Sequence, residues 1–130
     1  MRAPVGIVLV SHSAELAAGL RLLVEQIGSD TVPLATAGGT DDGRIGTSYN
    51  LVLAAIQRAD RGAGVVVLPD LGSSVLTART VLEDHPRTDV TIVDAPFVEG
   101  AVAAVVTAAS GADLKTVVTA AEEARNVLKL

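Results

Sequence analysis

Four times along these 130 residues a short β-branched run gives way to a longer stretch with helical spacing, and this alternation restricts the fold more than any other feature. Val5 to Val10 is a continuous apolar run of strand length, the pattern of a strand covered on both faces of a parallel sheet. From Leu16 the apolar residues recur at Leu20, Leu23, Val24 and Ile27, which predicts a helix with Ser13 as its N-cap and Gly28 at its end. Thr31 to Ala37 is the second predicted strand, placed at an edge by Pro33. A glycine-rich loop from Gly38 to Gly46 precedes a helix from about Ser48 to Ala59. Val65 to Leu68 is apolar throughout and is predicted to be central. The turn Pro69-Asp70-Leu71-Gly72-Ser73 leads into a helix over Ser74 to Glu83, and Val90 to Val93 is the fourth strand. Val98 to Ser110 and Leu114 to Leu130 read as two helices broken at Gly111. This order specifies an α/β fold, a doubly wound and mostly parallel sheet flanked by helices with right-handed crossovers. Residues 1–130 read as a single domain, long enough to bury a core without disulfide or metal staples.

In such folds ligands sit outside the carboxyl ends of the strands. Those ends carry Ser11-His12-Ser13, the glycine loop, Asp70 to Ser74, and Asp94-Ala95-Pro96. The residues able to do chemistry therefore gather along one edge of the sheet. His12 follows strand 1 and Asp70 follows strand 3, and these two strands are usually neighbours. Alone, His12 reads as a solvated strand-end residue and Asp70 as a cap. Together they make a pair: the carboxylate accepts a hydrogen bond from one ring nitrogen, fixes the tautomer, and leaves the other nitrogen as a nucleophile. A phosphoryl group on that nitrogen needs donors. The amides opening the helix after His12, including the Ser13 turn, are one candidate source. The hydroxyls or amides of Ser73 and Ser74 are another, and the glycine loop adds amides such as that of Gly39 together with Thr40.

Composition closes off other chemistries. Hydrophobic residues make up 49% of the chain, but with one Tyr, one Phe and no Trp its core has to be aliphatic. No cysteine is present, and two histidines, His12 and His85, are too few for an ordinary zinc site, so no metal and no cofactor is expected. A net charge of −5 lacks the basic footprint that nucleic acid demands. The longest apolar runs fall far short of the roughly 20 residues of a membrane span. Met1-Arg2-Ala3-Pro4 leads straight into a strand without the apolar stretch of a signal peptide, so the cytoplasm is the expected setting.

Three sharper alternatives fail on particular residues. Gly38, Gly43 and Arg44-Ile45 echo a phosphate-binding loop, but that loop requires Lys followed by Ser or Thr, so nucleotide binding by this segment alone is not expected. Asp41 and Asp42 lack the later glutamate of a calcium loop. A receiver domain would place its phosphoacceptor at Asp70, but it needs an acidic pair after strand 1, where this chain has Ser11-His12-Ser13.

The stretch Gly6-Ile7-Val8-Leu9-Val10-Ser11-His12-Ser13 resembles the start of the mannose-family enzyme IIA domains of the bacterial phosphoenolpyruvate phosphotransferase system. Three further stretches resemble one branch of it, the phosphotransfer subunits of phosphoenolpyruvate-dependent dihydroxyacetone kinases. They are Ala37 to Ser48, Asp70-Leu71-Gly72-Ser73, and Asp94 to Ala101. The resemblance implies that His12 is the phosphorylated residue and that Asp70 hydrogen-bonds it. It implies a histidine-containing phosphocarrier protein as donor and, as acceptor, ADP held on a nucleotide-binding kinase subunit. It also implies a homodimer. Arg44, the basic residue of the glycine loop, is the expected contact for the ADP-loaded partner. A rival of another class is a non-catalytic regulatory or adaptor domain of the same fold; it has no need of a paired nucleophile and orienter.

Overall fold

A computed structural model describes residues 3–28 and 30–130. Met1 and Arg2, the first residues of the segment weighed above against a signal peptide, lie outside the described residues. The elements run β1 (Gly6–Ser11), α1 (Ala14–Ile27), β2 (Leu34–Gly38), α2 (Tyr49–Ala59), β3 (Val65–Pro69), α3 (Gly72–Asp84), β4 (Val90–Ile92), α4 (Phe97–Ala109) and α5 (Leu114–Glu123), with a 3₁₀ turn over Ala124–Asn126. The strands form one parallel sheet in the order β2-β1-β3-β4. The chain steps from β1 out to β2, then crosses back through α2 to lay β3 on the other side of β1. The reversal between β1 and β3 opens a crevice at their carboxyl ends. Val10 lies opposite Pro69 and Ser11 opposite Gly38, so the segments that follow these strands emerge side by side.

Alternation along β1 divides the core between the two faces of the sheet. Ile7 and Leu9 pack with Leu20 and Val24 of α1 and with Ala104 and Val105 of α4. Val8 and Val10 pack with Val52 and Ala55 of α2 and with Ala78 and Val81 of α3. Every buried hydrophobic among the described residues is Val, Leu, Ile or Ala, the aliphatic core that the composition demands. β1 and β3 are internal and β2 is an edge, as the sequence predicts.

Several boundaries differ from expectation. β2 starts at Leu34 instead of Thr31, because Pro33 has no N–H to give a ladder, although its carbonyl accepts from the Ile7 amide at 2.8 Å. α3 starts at Gly72, which puts Ser73 and Ser74 inside its first turn. α5 ends at Glu123, well short of Leu130: Val117, Ala121 and Ala124 are buried, and every residue after Ala124 is exposed, so no packing sustains further turns. On α1 the buried line is Ala17, Leu20 and Val24, while Leu16, Leu23 and Ile27 are exposed. The small Ala17 lets the helix lie close over the sheet and leaves the larger residues on its flank. No described helix is long and apolar enough to cross a membrane.

Close packing of β1 against α2 rests on a missing side chain. A Cβ on Gly6 would lie 2.0 Å from the carbonyl oxygen of Ala59. Gly6→Ala is expected to lower stability by about 1–3 kcal/mol through overpacking. Gly19 lies inside α1, where a Cβ would meet nothing within 4 Å. Gly19→Ala should instead raise stability by about 0.5–1 kcal/mol through helix propensity. Denaturant unfolding of the two variants beside the parent checks both signs.

Candidate functional site

The Asp70 amide donates to the Val10 carbonyl at 2.9 Å, extending the β1–β3 ladder one step and setting Asp70 beside His12. The carboxylate of Asp70, 8% exposed, is then surrounded by donors. Its Oδ2 accepts from the Ser11 hydroxyl at 2.9 Å and from the His12 amide at 3.0 Å. Its Oδ1 accepts from the Leu71 amide at 2.7 Å and the Ser74 hydroxyl at 2.7 Å, and lies 2.9 Å from His12 Nδ1. Burial by itself raises this carboxyl. The Ser74 hydroxyl, the amide and ring of His12 and the Ser11 hydroxyl outweigh it and hold the pKa at about 2, against an ordinary 3.8. An ionised carboxylate only accepts, so Nδ1 carries the ring proton. Ser74 Oγ, 3.2 Å from Nδ1, gives its own proton to Asp70 and faces the ring as a second acceptor. Nε2 keeps its lone pair, which accepts from the Ser73 hydroxyl.

The two predicted serines therefore divide. Ser74 is fully buried beneath Asp70, whereas Ser73 is exposed on the outward side of the ring. The helix ends divide as well. α1, whose amides were expected to face the site, is capped by Ser13 Oγ accepting from Leu16 N at 3.1 Å, with the acidic Glu15 in its first turn. α3 has Leu71 as its N-cap and no side-chain cap, and the Ser73 hydroxyl in its first turn lies against Nε2. Both helix starts favour an anion, and α3 is the one whose amides carry no side-chain cap.

The glycine loop proves to be a brace. Gly39 N donates to Ser11 O at 3.0 Å, and Gly46 N donates to His12 O at 2.9 Å. These bonds grip the turn that carries the histidine from both sides. A Cβ on Gly38 would lie 2.6 Å from Ala14 Cα, so only glycine lets this loop approach the start of α1. Thr40 is used inside the loop, where its amide donates to Arg44 O at 2.9 Å and its hydroxyl oxygen accepts from Arg44 N at 3.0 Å. The Arg44 guanidinium, largely exposed, pairs with Asp42 at 2.8 Å. A cleft of about 550 Å³ runs from Asp70, Leu71 and Gly72 past Val75 to Arg79 and Asp94. Arg79 is exposed and in no ion pair among the described residues; sequence reading missed it because nothing at its position marks it. His85 caps the far end of α3, away from His12, with its ring 6.4 Å from that of Tyr49. Among the described residues no group of three or more His, Asp and Glu could hold a metal ion.

A carboxylate-backed histidine at the switch point of a small parallel sheet is what the resemblance to mannose-family enzyme IIA domains implies. Residues 6–118 match the mannose-type enzyme IIA family described as PTS system fructose IIA component, and the chain belongs to that family. Among curated relatives, the PEP-dependent dihydroxyacetone kinase 2 phosphoryl donor subunit DhaM of Listeria innocua is 38% identical over 105 residues, covering 78% of this chain and 84% of its own length. The PTS-dependent dihydroxyacetone kinase phosphotransferase subunit DhaM of Lactococcus lactis is 34% identical over 112 residues, covering 86% and 89%. The corresponding Escherichia coli subunit is 41% identical over 120 residues, but the match takes in only 25% of its length. The crystal structure of EF1359, a protein of unknown function, superposes with a TM-score of 0.80 at 32% identity, covering 95% of both chains. The dihydroxyacetone kinase of C. freundii, at 16% identity and a TM-score of 0.61, shares the fold over 25% of its own chain.

The depressed pKa of Asp70 carries a sign. Its contribution to stability is complete above the ordinary value of 3.8 and is lost as pH falls towards about 2. Between about pH 5 and pH 2 the parent should lose about 2 kcal/mol more unfolding free energy than Asp70→Asn. Urea unfolding across that range checks it.

Proposed function

We propose that this chain is a phosphohistidine carrier, accepting a phosphoryl group on His12 Nε2 and passing it on for the phosphorylation of dihydroxyacetone. The observation that carries the reading is the Nδ1–Asp70 bond, which commits the ring proton inward and points the Nε2 lone pair out. In the first step Nε2 attacks the phosphorus of a phosphorylated donor, forming an N–P bond as the donor's bond to phosphorus breaks. The ring gains positive character while Nδ1–H stays on Asp70, whose negative charge stabilises it. The Ser73 hydroxyl and the first amides of α3 donate to the phosphoryl oxygens. In the second step an acceptor oxygen takes the phosphorus, the N–P bond breaks and its electron pair returns to Nε2.

Curated relatives named as phosphoryl donor subunits of PEP-dependent dihydroxyacetone kinases support a kinase subunit as partner. On this reading the donor is the histidine-containing phosphocarrier protein and the acceptor is ADP held on that subunit. The reading places the chain in the cytoplasm, as a homodimer for which the exposed Leu16, Leu23 and Ile27 of α1 supply apolar surface.

Incubation with phosphoenolpyruvate, enzyme I and the phosphocarrier protein should give an acid-labile, base-stable phosphate on the parent and on His85→Ala, and none on His12→Ala. Normal labelling of His12→Ala would place the nucleophile elsewhere. Asp70→Asn presents an amide NH₂ to the ring, favours the other tautomer, and should slow transfer about 10²–10⁴-fold.

Docking on the nucleotide-loaded partner is a matter of charge. The chain carries −5, and a phosphoryl group adds to it. With Arg44 held by Asp42, Arg79 in the cleft beside Asp70 is the cation that meets the partner's phosphates. Transfer to the ADP-loaded subunit should slow on Arg79→Ala, most at low salt, while Arg44→Ala changes it less. Equal rates for parent and Arg79→Ala across a salt series would return Arg79 to a solvated surface role.

A further inference from the structure

Ser11 is the one polar residue of β1 and is completely buried. Two hydrogen bonds hold its hydroxyl: the Ser13 amide lies 3.0 Å from Ser11 Oγ, and Ser11 Oγ lies 2.9 Å from Asp70 Oδ2. Their directions are forced. The Ser13 N–H can only donate, so the Ser11 oxygen accepts it. The Asp70 carboxylate can only accept, so the Ser11 proton goes to Oδ2. A directed chain results, from the Ser13 amide through the Ser11 hydroxyl to the carboxylate.

The geometry of a carboxylate makes this chain consequential. The torsion that turns its plane is broad and soft. Leu71 and Ser74 hold Oδ1 from the α3 side, and the donors on Oδ2 fix the second point of the plane from the β1 side. Oδ2 has two donors, the backbone amide of His12 and the hydroxyl of Ser11, and Ser11 is the only side chain on that oxygen among the described residues. We propose that Ser11 is a positioning residue: by holding Oδ2 it keeps Oδ1 aligned with His12 Nδ1–H, and so keeps the lone pair on Nε2. Ser11 touches no reacting atom and acts through Asp70. The same hydroxyl ties the strand end to Ser13, the N-cap of α1, so one side chain links the carboxylate behind the ring to the turn that bears it.

The kinetic part of this inference rests on the phosphocarrier reading; the tautomer part does not. Nitrogen NMR of the full chain with ¹⁵N-labelled histidine reads which ring nitrogen bears the proton, and phosphoryl uptake from the phosphocarrier protein is timed separately. The parent should show one neutral tautomer, protonated at Nδ1. Ser11→Ala should show a mixture of both, with uptake slowed between about tenfold and about a hundredfold. Ser11→Thr keeps the hydroxyl and should restore the tautomer and most of the rate. Ser11→Cys, close in size with a weaker donor, should fall between them, and it reads the effect even where the alanine variant does not fold. A parent-like tautomer in the Ala or Cys variant overturns the proposal. So does a slowed alanine variant that threonine does not rescue. A parent chain that takes up no phosphate would sink the phosphocarrier reading while leaving the tautomer measurement intact.

Discussion

A carboxylate taken out of water has to be given back the hydrogen bonds it loses, and the site is organised around doing so for Asp70. Its donors come from the end of β1 and from the segments that follow β1 and β3: Ser11 from the strand, the amide and ring of His12 from the turn beyond it, Leu71 and Ser74 from the start of α3. A single side chain thus ties β1 to the opening of α3. Loss of that charge loosens the turn, the ring and the helix end together. The parallel pairing of β1 with β3 is what makes it possible, because in any other strand order these groups would not meet.

The fold was legible because its signals are strong and local. β-Branched runs of strand length and glycine or proline breaks recur with enough regularity to give the element order and the edge position of β2. The pairing of His12 with Asp70 was legible for the same reason, since the topology alone brings the ends of β1 and β3 together. Finer matters depended on packing that no local pattern encodes. Leu16, Leu23 and Ile27 look like core by spacing, yet they flank a helix whose true contact line runs through Ala17. Ser73 and Ser74 are adjacent and chemically identical, and only the 100° step between neighbours on a helix sends one under the carboxylate and the other out to Nε2. Ser11 was visible only as a polar residue closing an apolar strand. Its significance needed the distance to Asp70.

The glycine loop shows how a motif can mislead in detail while pointing to the right place. Its composition suggests a phosphate cradle, yet the bonds of Gly39 and Gly46 go to the carbonyls of Ser11 and His12, and those of Thr40 stay within the loop. Glycine is required there for close approach, as a phosphate loop also requires it, but what is approached is the protein's own backbone.

Because that brace holds the histidine turn from both sides, the lone pair of Nε2 has one fixed outward direction. An in-line transfer to it and an in-line transfer from it must use the same axis. On the proposed function, donor and acceptor then compete for the same patch of surface and cannot be seated at once. Turnover is restricted to strict alternation, with the charged chain leaving one partner before it meets the other. An excess of either partner becomes an inhibitor, and the flux through this chain depends on how briefly each complex lasts more than on how tightly it forms.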